Sequence, residues 1–210
     1  MAFSWVGRAV VTQSASAAME PVETPVALSD LAARALRDPR AGEDLLVRVR
    51  EMAVRYARVR LGRFGAEDTA QDVAQEVCMA VMVALPTYED RGLPFEALVY
   101  TITSRKLADA QRQAMRGPSP VEEIPDGIDD GPTPEQAAVT RDEVASALRL
   151  MSTLPEQQRE ILTLRVAVGM STEETAAALG MTTGAVRVSQ HRALAKLRAQ
   201  LAQLEAGDVA

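Results

Sequence analysis

The residues best suited to chemistry lie towards the C-terminal end. Between Thr172 and Gln190, a small residue, Ala176, stands four positions before Gly180, and branched Val186 follows six after it. Two crossed helices need that spacing: a small side chain at the crossing, a glycine that accepts a left-handed turn, and a branched apolar anchor on the second helix. The second helix then turns Thr183, Gly184, Arg187, Gln190 and His191 away from its apolar side. In a DNA major groove, Arg187 and Gln190 could address base edges, while Thr183, Arg192 and Lys196 could bind phosphates. The plain alternative is a solvated basic face on a helical hairpin. From Thr175 to Leu204 there are four Lys or Arg and no acid, which favours DNA. His191 suits solvent as well as it suits a phosphate or a base.

Other chemistries lack their residues. One Cys excludes an internal disulfide and a Cys-based zinc site, and one His removes most His-dependent catalysis and metal ligation. No catalytic triad, phosphate-binding loop or metal-ligand spacing occurs, so a non-enzyme without cofactor or metal is expected. Cys78 reads as packing on a helix. No stretch reaches ~18 uninterrupted apolar residues, and the start lacks the basic-then-apolar order of a signal peptide. A cytoplasmic protein without membrane insertion is the simplest expectation.

A net charge of -6 over 210 residues argues, taken whole, against a nucleic-acid partner. Resolved by position, it does not. Leu45–Gly65 carries six Arg and one Glu, whereas Ala66–Asp90 carries six acids and no Lys or Arg. Gly117–Glu143 holds eight acids and one Arg, so the rest of the chain is close to neutral. Five Pro and three Gly between Gly117 and Pro134 rule out helix or strand there. The stretch reads as an acidic linker, 117–142, between two helical domains at 28–116 and 143–205. An N-terminal extension, 1–27, and a short tail, 206–210, complete the division.

Aromatics are only 3% of residues, so the cores must be aliphatic and Ala-rich, which favours helices. Leu28 to Leu36 predicts a short helix ended at Asp38-Pro39. From Glu43, Leu46, Val49, Met52, Ala53, Tyr56 and Val59 recur at helical spacing towards Gly62 and Gly65. Glu67–Leu85 predicts a second helix with Val73, Val77, Ala80, Val81 and Ala84 inward, stopped by Pro86. A third runs from Pro94 to about Met115, with Leu98, Ile102 and Leu107 inward. Further on, helices are expected over Pro134–Met151, from Pro155 to Val168, from a Ser171–Glu174 capping box to Gly180, and from a Thr182 or Thr183 cap onward. The last has Val186, Leu194, Leu197, Leu201 and Leu204 inward. No segment alternates with period two, so the fold class is all-α.

These residues resemble a family. Leu154–Leu201 is similar to region 4 of bacterial sigma-70-type factors, closest to the small extracytoplasmic-function group. Leu154-Pro155, Arg159-Glu160, Gly169, Ser171, Glu174, Ala176, Leu179-Gly180 and Gly184 to Arg187 match its pattern. Asp72, Gln75, Glu76 and Val77 match the signature of sigma region 2, and Phe95–Gln113 resembles the helix that reads the −10 element. Leu98 and Arg105 depart from the family's Trp and Asn. The Ala-rich, Arg-over-Lys composition resembles an actinobacterial member of the sigma-D type.

The resemblance implies a promoter-specificity subunit of RNA polymerase. Its partners would be core polymerase (the β′ coiled coil and the β subunit) and promoter DNA. An anti-sigma factor is a further candidate partner, since one commonly holds such proteins inactive. Asp72, Gln75 and Glu76 would dock on polymerase; Asp72 and Glu76 share one helix face, where like charges favour an external basic partner. Tyr100, Arg105, Lys106 and Arg112 would meet the −10 DNA, and Thr183, Gly184, Arg187, Gln190, His191, Arg192 and Lys196 the −35 element. The acidic linker would mimic nucleic acid in the polymerase cleft. The competing expectation is a free-standing helix-turn-helix regulator that binds DNA without polymerase.

Overall fold

The computed structural model describes residues 27–62, 66–88, 92–116 and 146–207. The N-terminal extension and the acidic linker lie outside them. All regular structure among the described residues is helical. The N-terminal half consists of α1 (Leu28–Ala35), α2 (Pro39–Leu61), α3 (Ala66–Ala84), a 3-10 turn (Leu85–Thr87) and α4 (Phe95–Arg116). The C-terminal half consists of α5 (146–152), α6 (Glu156–Leu162) running into a π-helical turn (Thr163–Val168), α7 (Thr172–Leu179) and α8 (Thr183–Gly207).

Local chemistry sets these boundaries. Asp38-Pro39 does more than end α1: Asp38 accepts from the Arg40 N–H at 3.0 Å and Pro39 opens α2, so α2 starts earlier than apolar spacing predicts. Its carboxyl is held below the usual range by the hydrogen bond from Arg34. Gly62, at φ 61°, ends α2 in the left-handed conformation that suits glycine. The capping box forms as expected: Glu174 N–H donates to Ser171 Oγ at 3.1 Å and Ser171 N–H to Glu174 Oε2 at 2.7 Å. Pro155 caps α6 from outside, one residue before its expected place. Thr182 is the α8 cap, its Oγ1 accepting from Ala185 N–H at 3.2 Å.

The π-helical turn is absent from the sequence reading, which has one regular helix from Pro155 to Val168. Gly169 N–H bonds Leu164 carbonyl five residues back. Ile161 packs with Ala176 and Val186 inside the C-terminal half. Leu164 and Val168, by contrast, pack into the core of the N-terminal half beside Val49, Val77 and Val99. The two helical domains form as expected, and they also share apolar contact across their seam, beyond the smaller clusters that the C-terminal half keeps for itself. The π-helical turn lies on α2 and α7 lies on α4, so the apolar interior is continuous across the halves.

Most inward positions are as periodicity predicts: Val49, Ala53, Val73, Val77 and Val81 are buried. Leu45, not Leu46, is buried on α2, and Leu98 and Ile102 are only partly buried while Val99 and Thr103 are fully so. Leu204 is exposed at the end of α8, beyond the reach of any packed neighbour in its own core. Full burial of Leu45 and Phe95 stabilises the fold by roughly 1.5–3 kcal/mol each. No helix among the described residues is long and apolar enough to cross a membrane.

One buried acid serves the fold directly. Glu96 Oε1 accepts the Leu28 N–H at 3.1 Å, satisfying an orphan donor at the start of α1. Burial raises its pKa, and the charge of Glu174 adds to the effect. A raised folded-state pKa favours the protonated fold; the contribution is complete below the ordinary carboxylate range and is lost as pH rises through the folded value. Glu96→Gln keeps an acceptor for Leu28 and removes the buried charge. It should stabilise the protein at pH 7 by about 1 kcal/mol, an advantage that shrinks on acidification towards about pH 4, measured by urea unfolding across pH. Ser171→Ala should cost about 1 kcal/mol in the same assay through loss of the α7 cap.

Candidate functional site

Three surfaces collect the residues singled out by sequence. The first is the outer face of α8. Ala176 and Gly180 take the crossing and the turn, Gly180 at φ 62°, and fully buried Val186 anchors α8 against Ile161. Buried Val186 and Ala193 define the inward side. Gly184, Arg187, His191 and Arg192 are exposed opposite them, whereas Thr183 and Gln190 are half-buried at the edges. Arg187 is aimed by Glu173 of α7, 3.5 Å away. Gln190 Oε1 accepts from Arg165 Nε at 3.3 Å, which leaves the amide N–H groups as its free end. Lys196 departs from the group: its Nζ donates back to the Thr153 carbonyl at 2.8 Å. Val188, missed by sequence reasoning, is about half exposed between Gly184 and Arg192. Its spacing of four from each was the available signal.

The second surface is α4, and here the expected residues separate. Arg105 and Arg112, seven residues apart, share an exposed face. Arg112 is paired with Asp109. Lys106 points to α3 and pairs with Glu76 at 3.0 Å. Tyr100 points to the C-terminal half: its hydroxyl donates to Glu160 Oε1 at 2.8 Å, and its ring meets Tyr56 edge-on at 5.6 Å. A stacking platform needs a free ring face, so in this arrangement Tyr100 does not act as one. Tyr88 and Phe95 pack edge to face at 4.9 Å, as core residues.

Tyr56 donates to the same Glu160 oxygen at 2.7 Å, and Arg60 stands 3.5 Å from Glu160 Oε2. Burial, and then the charge of Glu160, push both phenols well above their ordinary pKa, so both stay protonated donors. Neither Tyr56 nor Arg60 carries a sequence signal for this role. The contact joins positions 104 residues apart.

The third surface is the outer face of α3. Asp72, Gln75 and Glu76 are exposed, as expected. The same stripe continues into Met79, Met82 and Val83, which are 61%, 57% and 80% exposed. Three large apolar side chains in a row beside acids exceed what a solvated helix needs. The apolar run from Met79 to Ala84 hid them, because the helix end is apolar on both sides. Glu67, at the base of α3, is instead consumed by Arg58 through bonds of 2.7 and 2.5 Å, and its pKa falls accordingly. Among the described residues, no group of His, Cys, Asp and Glu could hold a metal ion.

Comparison with known proteins agrees with this layout. Residues 43–117 match the family model "Sigma-70 region 2", and residues 145–197 match "Sigma-70, region 4". The chain is 51% identical over 168 residues to the ECF RNA polymerase sigma factor ShbA of Streptomyces griseus, covering 77% of this chain and 88% of that one. It is 49% identical over 175 residues to the ECF RNA polymerase sigma factor SigD of Mycobacterium tuberculosis, covering 82% of each. A solved structure, that of CnrH in complex with the cytosolic domain of CnrY, is similar with TM-score 0.55 and 29% identity over 83% of this chain and 96% of that one. With both region models matched in order, and with such relatives covered over most of their length, the chain belongs to the extracytoplasmic-function group of sigma-70-type RNA polymerase sigma factors.

Proposed function

We propose that the protein binds core RNA polymerase through the exposed stripe of α3, reads −35 DNA with α8, and meets the −10 element with α4. The observation that supports this most is a division of surface character. A helix-turn-helix whose outer helix carries no acid before Glu205 lies at one end of the chain. A helix combining exposed acids with exposed Met and Val lies at the other. Asp72, Gln75 and Glu76 would meet basic groups of the β′ coiled coil, while Met79, Met82 and Val83 supply the apolar centre that gives an interface most of its affinity. On α8, Arg187 would address a base edge, Val188 a thymine methyl, and His191 and Arg192 the adjoining groove wall and phosphates. On α4, Arg105 and Arg112 would follow the DNA backbone. The chemistry of RNA synthesis belongs to polymerase, so the role assigned here is non-catalytic and sited with polymerase in the cytoplasm.

One solved neighbour holds its sigma factor with the cytosolic domain of another protein. An anti-sigma partner of that kind is assigned here too, competing with polymerase for the α3 stripe.

Adding the full chain to core polymerase should produce specific initiation on a genomic fragment library. Tight, specific DNA binding without core, and no initiation with it, would instead identify a free-standing regulator. Replacing Met79 and Val83 together by Lys should weaken core binding on the order of tenfold or more in a titration, with helical content unchanged. Arg187→Ala should lose ~1–3 kcal/mol of discrimination at one −35 base pair in a promoter-library selection. An equal loss on every sequence would reassign Arg187 to phosphate.

A further inference from the structure

Arg159, on α6, has a half-buried side chain whose Nε–H is fully buried and meets no acceptor among the described residues. Such a donor is rare, because the loss of its water is left uncompensated. Arg159 lines a cleft of about 650 Å³ between the end of α2, α5 and α6. That volume falls in the range of small-molecule sites. Two more guanidinium groups line it, from Arg60 and Arg149, and no Asp or Glu stands among the described residues of its wall. The three cations differ in what they already hold. Arg60 is shared with Glu160 at 3.5 Å and Glu156 at 4.0 Å. Arg149 is exposed and donates to Ser146 Oγ at 2.6 Å, a neutral partner that leaves its charge unbalanced. Arg149 and Arg159 therefore supply the donors, and Arg60 adds charge from the side.

The rest of the wall that matters is apolar: Val59 of α2 and Leu148 and Met151 of α5, each half-buried. Like charges beside low-dielectric walls repel one another, and an anion between them relieves the repulsion. The planar guanidinium fork suits phosphate oxygens in pairs. A bare phosphate would leave the apolar wall uncovered and most of the volume unused. A ligand with phosphates at one end and a flat ring at the other satisfies both parts of the cleft.

We propose that this cleft is a binding site for a nucleoside diphosphate or triphosphate. Its phosphates lie on Arg149 and Arg159, with Arg60 beside them, and its base lies against Val59, Leu148 and Met151. The site is separate from the α3 stripe and from the outer faces of α4 and α8. A sigma factor works beside the nucleotide pool that polymerase consumes, and this cleft lets that pool act on the sigma factor itself.

The test is calorimetric titration of the full chain, free of polymerase and DNA, with ADP. One ADP should bind per chain. Arg149→Ala and Arg159→Ala should each weaken binding on the order of tenfold or more, the scale of a lost charged hydrogen bond, with helical content unchanged. Arg149 is exposed, so its variant keeps the test open even if Arg159→Ala fails to fold. Arg159→Lys, which keeps the charge without the fork, should recover only part of the loss. Pyrophosphate and adenosine should each bind at least tenfold more weakly than ADP, and Arg187→Ala on α8 should leave ADP binding unchanged. No saturable binding at low-millimolar ADP, or binding unchanged in both Arg149→Ala and Arg159→Ala, would overturn the site. A loss in Arg187→Ala equal to that in Arg149→Ala would overturn it in favour of the basic face of α8. Pyrophosphate binding as tightly as ADP would overturn the nucleotide class and leave a bare anion site.

Discussion

A buried carboxylate cannot remain charged without donors, and in this protein those donors decide how the chain closes. Glu160 reaches across the seam to Tyr56, Tyr100 and Arg60. Apolar contact alone would let Leu164, Val168 and Met170 slide over α2, since the hydrophobic effect has no direction. The bonds to Glu160 are directional, and leaving the carboxylate without them would be costly. They fix where the π-helical turn sits on α2. That placement in turn sets α7 against α4. Glu160 therefore sets the position of the helix-turn-helix relative to the N-terminal half together with the apolar packing of the π-helical turn on α2 and of α7 on α4.

The individual helices were legible in the sequence because each carries its own punctuation. The Ser171–Glu174 box, Gly180 and the Val73–Val77–Val81 stripe act within a few residues of themselves, and periodicity reports them faithfully. The contacts between the halves were not legible. A tyrosine at helical spacing looks like core whether its hydroxyl meets water or a carboxylate from 104 residues away. Tyr100 shows the difference: its ring and hydroxyl are used, but by the protein itself. Lys106 and Lys196 show it again. The family resemblance turns Lys106, and the helix-turn-helix spacing turns Lys196, towards DNA, yet one pairs with Glu76 and the other bonds the Thr153 carbonyl. Sequence charge says that a cation is present; only the fold says which acceptor is nearest.

The pair between Lys106 and Glu76 also links surfaces that have separate jobs. Glu76 belongs to the α3 stripe and Lys106 to α4, and they share one exposed ion pair at 3.0 Å. Such pairs contribute only ~0.2–1 kcal/mol, so this one does not hold the fold together. It is weak enough to be exchanged. A basic group arriving at Glu76 would release Lys106 towards whatever lies over α4.

The π-helical turn has a consequence for how the chain can vary. It places one more residue in the turn than an α-helix would, and each residue of a helix turns the following face by about 100°. That extra step lets a single continuous segment serve two masters, with Ile161 facing Ala176 and Val186, and Leu164 and Val168 facing α2. Removing one residue there would leave every side chain chemically intact and aim half of them at the wrong neighbour. Phase, not composition, is what this stretch has to preserve. Between Thr163 and Val168, substitutions that keep size and polarity are tolerable where insertions and deletions are not.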